Sequence, residues 1–243
     1  AEPFTISRQM AVPMANAKAL GFNPEAIPQV ASLYDPTETL DATILMNDHF
    51  EIWDHDRSDG LLPSQYDFTG VLIHEIGHAL GFVSAVDDVD AALGNPGGNR
   101  DIQVSPLDMY RLSPGEGIEG FGDASRNLDP RQTHVFYDGG FFDPVTPRGF
   151  AAIDIPRLTI GVVPLSRGQE FGDGAQASHL KDDQLILGLE LRMMDPSGAP
   201  GREVEITQVD RQAFDLIGWD IIGGAIPGAA DCALDSPWNA TLD

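Results

Sequence analysis

The chain has 243 residues, 38 acidic and 14 basic, with a formal net charge of −24 at pH 7. That balance argues against nucleic acid and anionic membrane surfaces as partners, since both need cations facing them. The 42% apolar share suffices for an ordinary core, and the single cysteine, Cys232, excludes an intrachain disulfide. No apolar run is long enough to span a bilayer.

In chain order, the first predicted element is a short helix around MANAKALG, ended by Gly21 and followed by Pro24 and Pro28. Residues 41 to 53, DATILMNDHFEIW, read as a strand running into a looser segment. DHDRSDG follows as a loop, and its acidic spacing does not match an EF-hand. The clearest helix comes next: GVLIHEIGHAL, with Asp67 or Thr69 as N-cap and Gly81 as its stop. Residues 85 to 178 are rich in Gly, Pro and Asp and predict short strands and turns. Within them HVFYDGGFFD suggests a hairpin about Asp138-Gly139, and LTIGVVPL, 158 to 165, a strand. ITQVDRQAFDLIGWD reads as a helix. Thr207 and Asp210 form its capping box, and Val209, Ala213, Phe214, Leu216 and Ile217 its apolar face. Residues 223 to 243 read as a loosely structured tail.

The chemistry concentrates in HEIGHALGFVS, residues 74 to 84. A helix turns about 100° per residue, so His74 and His78 point the same way, one turn apart, and both can reach one Zn²⁺ at about 2.0–2.1 Å. Glu75 is rotated off that line. It can reach a water on the metal without being a ligand itself. The longer form of this signature has a third histidine where this chain has Ser84, and a neutral hydroxyl is a poor zinc ligand. Three sources for a third ligand stand open: Asp87 or Asp88, His134, and His179. His49 and His55 read as exposed or substrate-side residues.

Past the helix the order is glycine, long insertion, His179, Met194-Asp195-Pro196, final helix. On these residues the chain resembles the metzincin zinc metalloproteases of the leishmanolysin type, in which an insertion separates the glycine from the third histidine. It is similar to secreted bacterial proteases of that group, through the blocks HEIGHALGF and ASH…MDP. The resemblance implies an α+β zincin-like fold. An N-terminal twisted mixed sheet would carry the active-site helix, a large loop and strand insertion would follow, and a C-terminal subdomain would hold a Met-turn and the last helix. It divides the chain into one catalytic domain, 1–225, and a tail, 226–243. Within the domain, 1–82 is the N-terminal part, 83–178 the insertion, and 179–225 the part with the third ligand.

The resemblance also implies roles. His179 completes a Zn²⁺ site with His74 and His78, Met194 packs beneath it, and Glu75 is the general base. The substrate is a polypeptide lying extended along an edge strand, for which Ala42, Thr43, Ile44, Leu45 and Met46 are the candidates. Some metzincins carry a tyrosine after the Met-turn methionine to assist the oxyanion; here Pro196 and Ser197 occupy that region. Ca²⁺ is a further candidate cation for the Asp-rich insertion. The expected protein is therefore a secreted, monomeric bacterial zinc endopeptidase with its signal peptide removed. The alternative is a binding or adhesion module that keeps the fold without turnover, against which the intact Glu75 argues.

Overall fold

The computed structural model describes residues 4–22, 40–47, 52–95, 100–112, 128–131, 134–137, 162–184 and 192–220. These residues form a mixed α/β arrangement with three small sheets. Strand β1 (Phe4–Met10) pairs in parallel with β4 (Arg100–Val104), Ile6 opposite Ile102, with a register shift before Met10 meets Val104. Strands β2 (Trp53–Asp54) and β3 (Tyr66–Asp67) form a short parallel pair. Strands β5 (Arg111–Leu112), β6 (His134–Tyr137) and β7 (Val162–Leu165) form an antiparallel sheet in that order. Among the described residues no helix is long and apolar enough to cross a membrane.

Helix α1 (Met14–Ala19) is the MANAKALG helix, and Gly21 leaves it with a positive φ of 79°. Its buried Asn16 donates Nδ2 to the carbonyl of Ile217 at 2.6 Å, tying the N-terminal segment to the end of the last helix. Helix α2 (Phe68–Ala79) begins at Asp67, which occupies the N-cap but spends its carboxylate elsewhere. Arg57 donates Nε to Asp67 Oδ1 at 2.9 Å, and Val204 donates its N–H to Oδ2 at 2.9 Å. Burial raises the Asp67 pKa, but the Arg57 guanidinium and the Val204 N–H outweigh it and hold the group below the ordinary carboxylate range. A carboxylate in this position also complements the positive end of the helix dipole. At the other end, Gly81 adopts a φ of 116°, a conformation that side chains with a Cβ avoid, and turns the chain against Asn16. Trp219 donates Nε1 to the carbonyl of the C-cap residue Leu80 at 2.8 Å.

The stretch 85–178 contains an element that its composition concealed. Helix α3 (Val86–Gly94) lies where short strands and turns are expected. Val86, Val89 and Ala92 recur at helical spacing and are buried, while Asp87 and Asp88 sit in the first turn, where negative charge is favoured. The Asp residues that read as loop markers are therefore helix starters. Val89 and Ala92 pack with Ala85 and Ile102 in a small cluster that joins α3 to β4. The main core gathers Phe82, Leu107, Val163, Leu165, Leu180, Met193, Met194, Val204, Ala213, Phe214 and Ile217, so α2, the β7 sheet and the C-terminal segments share one apolar centre.

Two other strand expectations need correction or restriction. Residues 42–46 have no ladder partner among the described residues. Ile44 and Met46 are half-buried whereas Leu45 is 91% exposed, so the alternation exists but no strand pairs with it. The paired strand begins only at Trp53. The expected hairpin turn at Asp138-Gly139 lies outside the described residues; β6 pairs with β7, with His134 opposite Leu165 and Tyr137 opposite Val162. Helix α4 (Gln208–Leu216) starts with the expected capping box, in which Thr207 Oγ1 donates to Asp210 Oδ2 at 2.7 Å and accepts from the Asp210 N–H. The tail 223–243, with Cys232, and His49 lie outside the described residues.

Candidate metal centre

Helix α2 places His74 and His78 one turn apart, and the segment after β7 brings His179 against them. The three Nε2 atoms form a near-equilateral triangle: 3.1 Å between His74 and His78, 3.2 Å between His78 and His179, and 3.2 Å between His179 and His74. The rings of His74 and His179 stack at 5.1 Å, and His78 meets both edge-on. Together they form a group close enough to hold a metal ion.

The outward nitrogens decide what the inward ones are. His74 Nδ1 lies 2.7 Å from the Met193 carbonyl, His78 Nδ1 2.8 Å from the Phe82 carbonyl, and His179 Nδ1 3.0 Å from the Gln176 carbonyl. A carbonyl oxygen only accepts, so each Nδ1 carries the proton. In the neutral ring each Nε2 is then a bare lone pair. Burial pushes His179 down to about 3, helped by the neighbouring His78, and burial and His78 lower His74 as well. Three lone pairs facing one another at 3.1–3.2 Å repel unless a cation stands between them. A point about 1 Å above the centre of such a triangle is about 2.1 Å from all three corners, the zinc–imidazole distance. The donor set, the tautomers and the spacing therefore suit a metal ion bound by three neutral imidazoles, each fixed by a bond from its other nitrogen.

The support beneath the triangle comes from the C-terminal segment. Met194 is fully buried, and a Cβ on Gly77 would collide with its sulfur, so the missing side chain at Gly77 lets α2 settle onto the methionine between the two ligand positions. Asp210 holds this turn: its carboxylate accepts the Met193 and Met194 N–H groups at 3.2 and 3.3 Å while it also caps α4. The segment bearing His179 is pinned by buried Arg111, which donates to the Ser166 and Ala177 carbonyls at 3.0 and 2.6 Å. Ser166 donates its N–H to the His179 carbonyl at 3.1 Å, and Leu180 donates to the Met194 carbonyl at 2.8 Å. Sequence reasoning missed Arg111 altogether and saw only the capping half of Asp210. A lone Arg in a polar stretch gives no signal that it will be buried.

Glu75 follows His74 on α2 and is half-buried. Its charge bears on His74, and it has no hydrogen-bond partner among the described residues. Among the described residues the histidine group includes neither the other candidates nor Ser84. Asp87 accepts from backbone N–H groups, His134 takes a place on β6, and Ser84 donates its hydroxyl to Asp108 at 2.6 Å. His55 packs its ring on Phe68 at 4.4 Å. A second group of carboxylates, Asp182, Asp183 and Asp195, lies within 4.8 Å, just beyond the Asp-rich insertion for which Ca²⁺ is a candidate cation. Arg202 donates to Asp183 at 2.6 Å, and burial raises Asp195 to about 6.

Comparison of the chain with protein-family models, with curated proteins and with solved structures gives no significant match. The site therefore stands on its own geometry.

Proposed function

We propose that the protein is a secreted zinc-dependent endopeptidase of the metzincin kind, with the delayed third histidine of the leishmanolysin type. The observation that carries this reading is the Nε2 triangle of 3.1–3.2 Å, with Glu75 next in the chain to the first ligand. His74, His78 and His179 would hold the ion, and their neutral state leaves its double positive charge undiminished. When bound, zinc supplies a Lewis acid that polarises a peptide carbonyl and brings the pKa of coordinated water to about 7. Glu75 takes the proton from the attacking water and delivers it to the leaving amine, a division of labour that needs no serine or cysteine nucleophile. Zinc rather than a harder cation is favoured by three nitrogen donors and no carboxylate. Polypeptide as substrate rests on the pairing of the H-E-x-x-H helix with a buried methionine turn below it.

The test is zinc stoichiometry with casein hydrolysis. Wild type is expected to hold one zinc and cleave casein, Glu75→Ala to hold zinc without cleavage, and His179→Ala to lose both. Full zinc occupancy in His179→Ala overturns the third ligand. A zinc-loaded wild type without hydrolysis of any peptide favours the binding-module reading.

A further inference from the structure

In shorter signatures of this type the third ligand sits in the chain at the position of Ser84. Here it arrives from 101 residues beyond His78, and something must hold it there. The segment at Ser84 is also the place where it is held. Ser84 donates its backbone N–H to Ser178 Oγ at 2.9 Å. In the first turn of α3, Asp87 accepts the Ala177 N–H at 2.6 Å, the Ser178 N–H at 3.0 Å and the Ser178 hydroxyl at 2.6 Å. The hydroxyl thus bridges the two, accepting a hydrogen bond from the Ser84 N–H and donating one to Asp87. Ser84 itself is fixed by its hydroxyl bond to Asp108, which also accepts the Ala85 N–H at 2.9 Å.

We infer that Asp87 is a positioning residue for the metal centre. From the first turn of α3 its carboxylate clasps the 177–178 backbone and so aims His179 at the ion. The inference rests on the three-histidine reading of the site. The geometry is specific because the clasped peptides directly precede the ligand, and the Gln176 carbonyl that orients the His179 ring lies on their other side. Both carboxylate oxygens are engaged by donors of one short segment, the one that directly precedes His179. Hydrogen bonds to a charged acceptor are about twice as strong as neutral ones, which suits a link that replaces a covalent tether.

The experiment is chelator-competition measurement of zinc affinity, with the visible spectrum of the cobalt-substituted protein as a second readout. Wild type, Asp87→Ala, Asp87→Glu, Ser178→Ala, His179→Ala and Val89→Ala would be compared. Val89 is buried on the same helix in the cluster with Ala85, Ala92 and Ile102 and controls for loss of stability. Loss of an outer partner of a metal ligand typically costs roughly ten- to a hundredfold in affinity. Asp87→Ala is expected to bind zinc at least tenfold more weakly, with a cobalt spectrum shifted toward that of His179→Ala. Asp87→Glu should recover part of the affinity, and Val89→Ala should retain the wild-type spectrum. If Asp87→Ala does not fold, Ser178→Ala decides, with a loss of affinity smaller than that of His179→Ala. Wild-type affinity and spectrum in either folded clasp variant, while His179→Ala is impaired, overturn the inference. Unimpaired binding in His179→Ala sinks the three-histidine reading instead.

Discussion

At the scale of single residues, the protonation of the buried groups sets the acid limit of the metal-free protein. His179 titrates at about 3 in the fold and at about 6.5 when unfolded, so the unfolded chain binds the extra proton between those values. Stability from this group is complete above about pH 6.5 and is lost as pH falls toward 3, by a few kcal/mol in order of magnitude. His74 acts in the same direction. Asp195 acts in the opposite one: raised to about 6, it takes up its proton first in the fold and adds stability as pH falls from about 6 toward 3.8. Urea midpoints of the metal-free protein at several values between pH 8 and pH 4 would separate the two. His179→Ala should show a shallower loss on acidification than wild type, and Asp195→Asn a steeper one. Equal slopes in wild type and His179→Ala would mean that His179 is not held neutral by burial.

At the scale of elements, the decisive contact is α2 resting on the turn at Met194. Removing that side chain leaves a void under the part of α2 that bears His74 and His78, and Met194→Ala should cost about 2–5 kcal/mol. Met194→Leu, close in volume, should cost less than about 1.5 kcal/mol. Gly77→Ala is the converse case. Alanine favours a helix by about 1 kcal/mol over glycine, yet the new methyl would meet the methionine sulfur, so the variant should be less stable than wild type. Denaturant unfolding reads all three, and a stabilised Gly77→Ala would show that the helix does not lie so close. Much of this was legible in the sequence. The four-residue spacing of His74 and His78, the stop at Gly81 and the Thr207–Asp210 cap act through near neighbours, and Met194 was marked by the Met-Asp-Pro pattern. His179 was legible only through its place before Met194. Helix α3 was not, because its aspartates carry the same composition as a loop, and neither was the task of Asp87, whose partners lie some 90 residues away.

At the scale of the whole molecule, a net charge of −24 opposes compaction everywhere. The described carboxylates offset it locally through pairs such as Arg57–Asp67 and Lys181–Asp173, but there are too few cations to do so throughout. Raising sodium chloride from about 0.01 M to about 1 M shortens the screening length from about 30 Å to about 3 Å, so the melting temperature should rise. A fall would mean that attractive pairs outweigh the general repulsion. The long-range pairing of β1 with β4, Thr5 opposite Asp101, lay beyond sequence reading, because parallel partners this far apart leave no local trace. The corners of the histidine triangle are tied to different parts of the chain. The rings of His78 and His179 lean on carbonyls four and three positions away, whereas His74 leans on one 119 positions away. The turn at Met193–Met194 therefore anchors two corners at once, the His74 ring through the Met193 carbonyl and the residue after His179 through the Leu180 N–H on the Met194 carbonyl, while His78 keeps an anchor of its own.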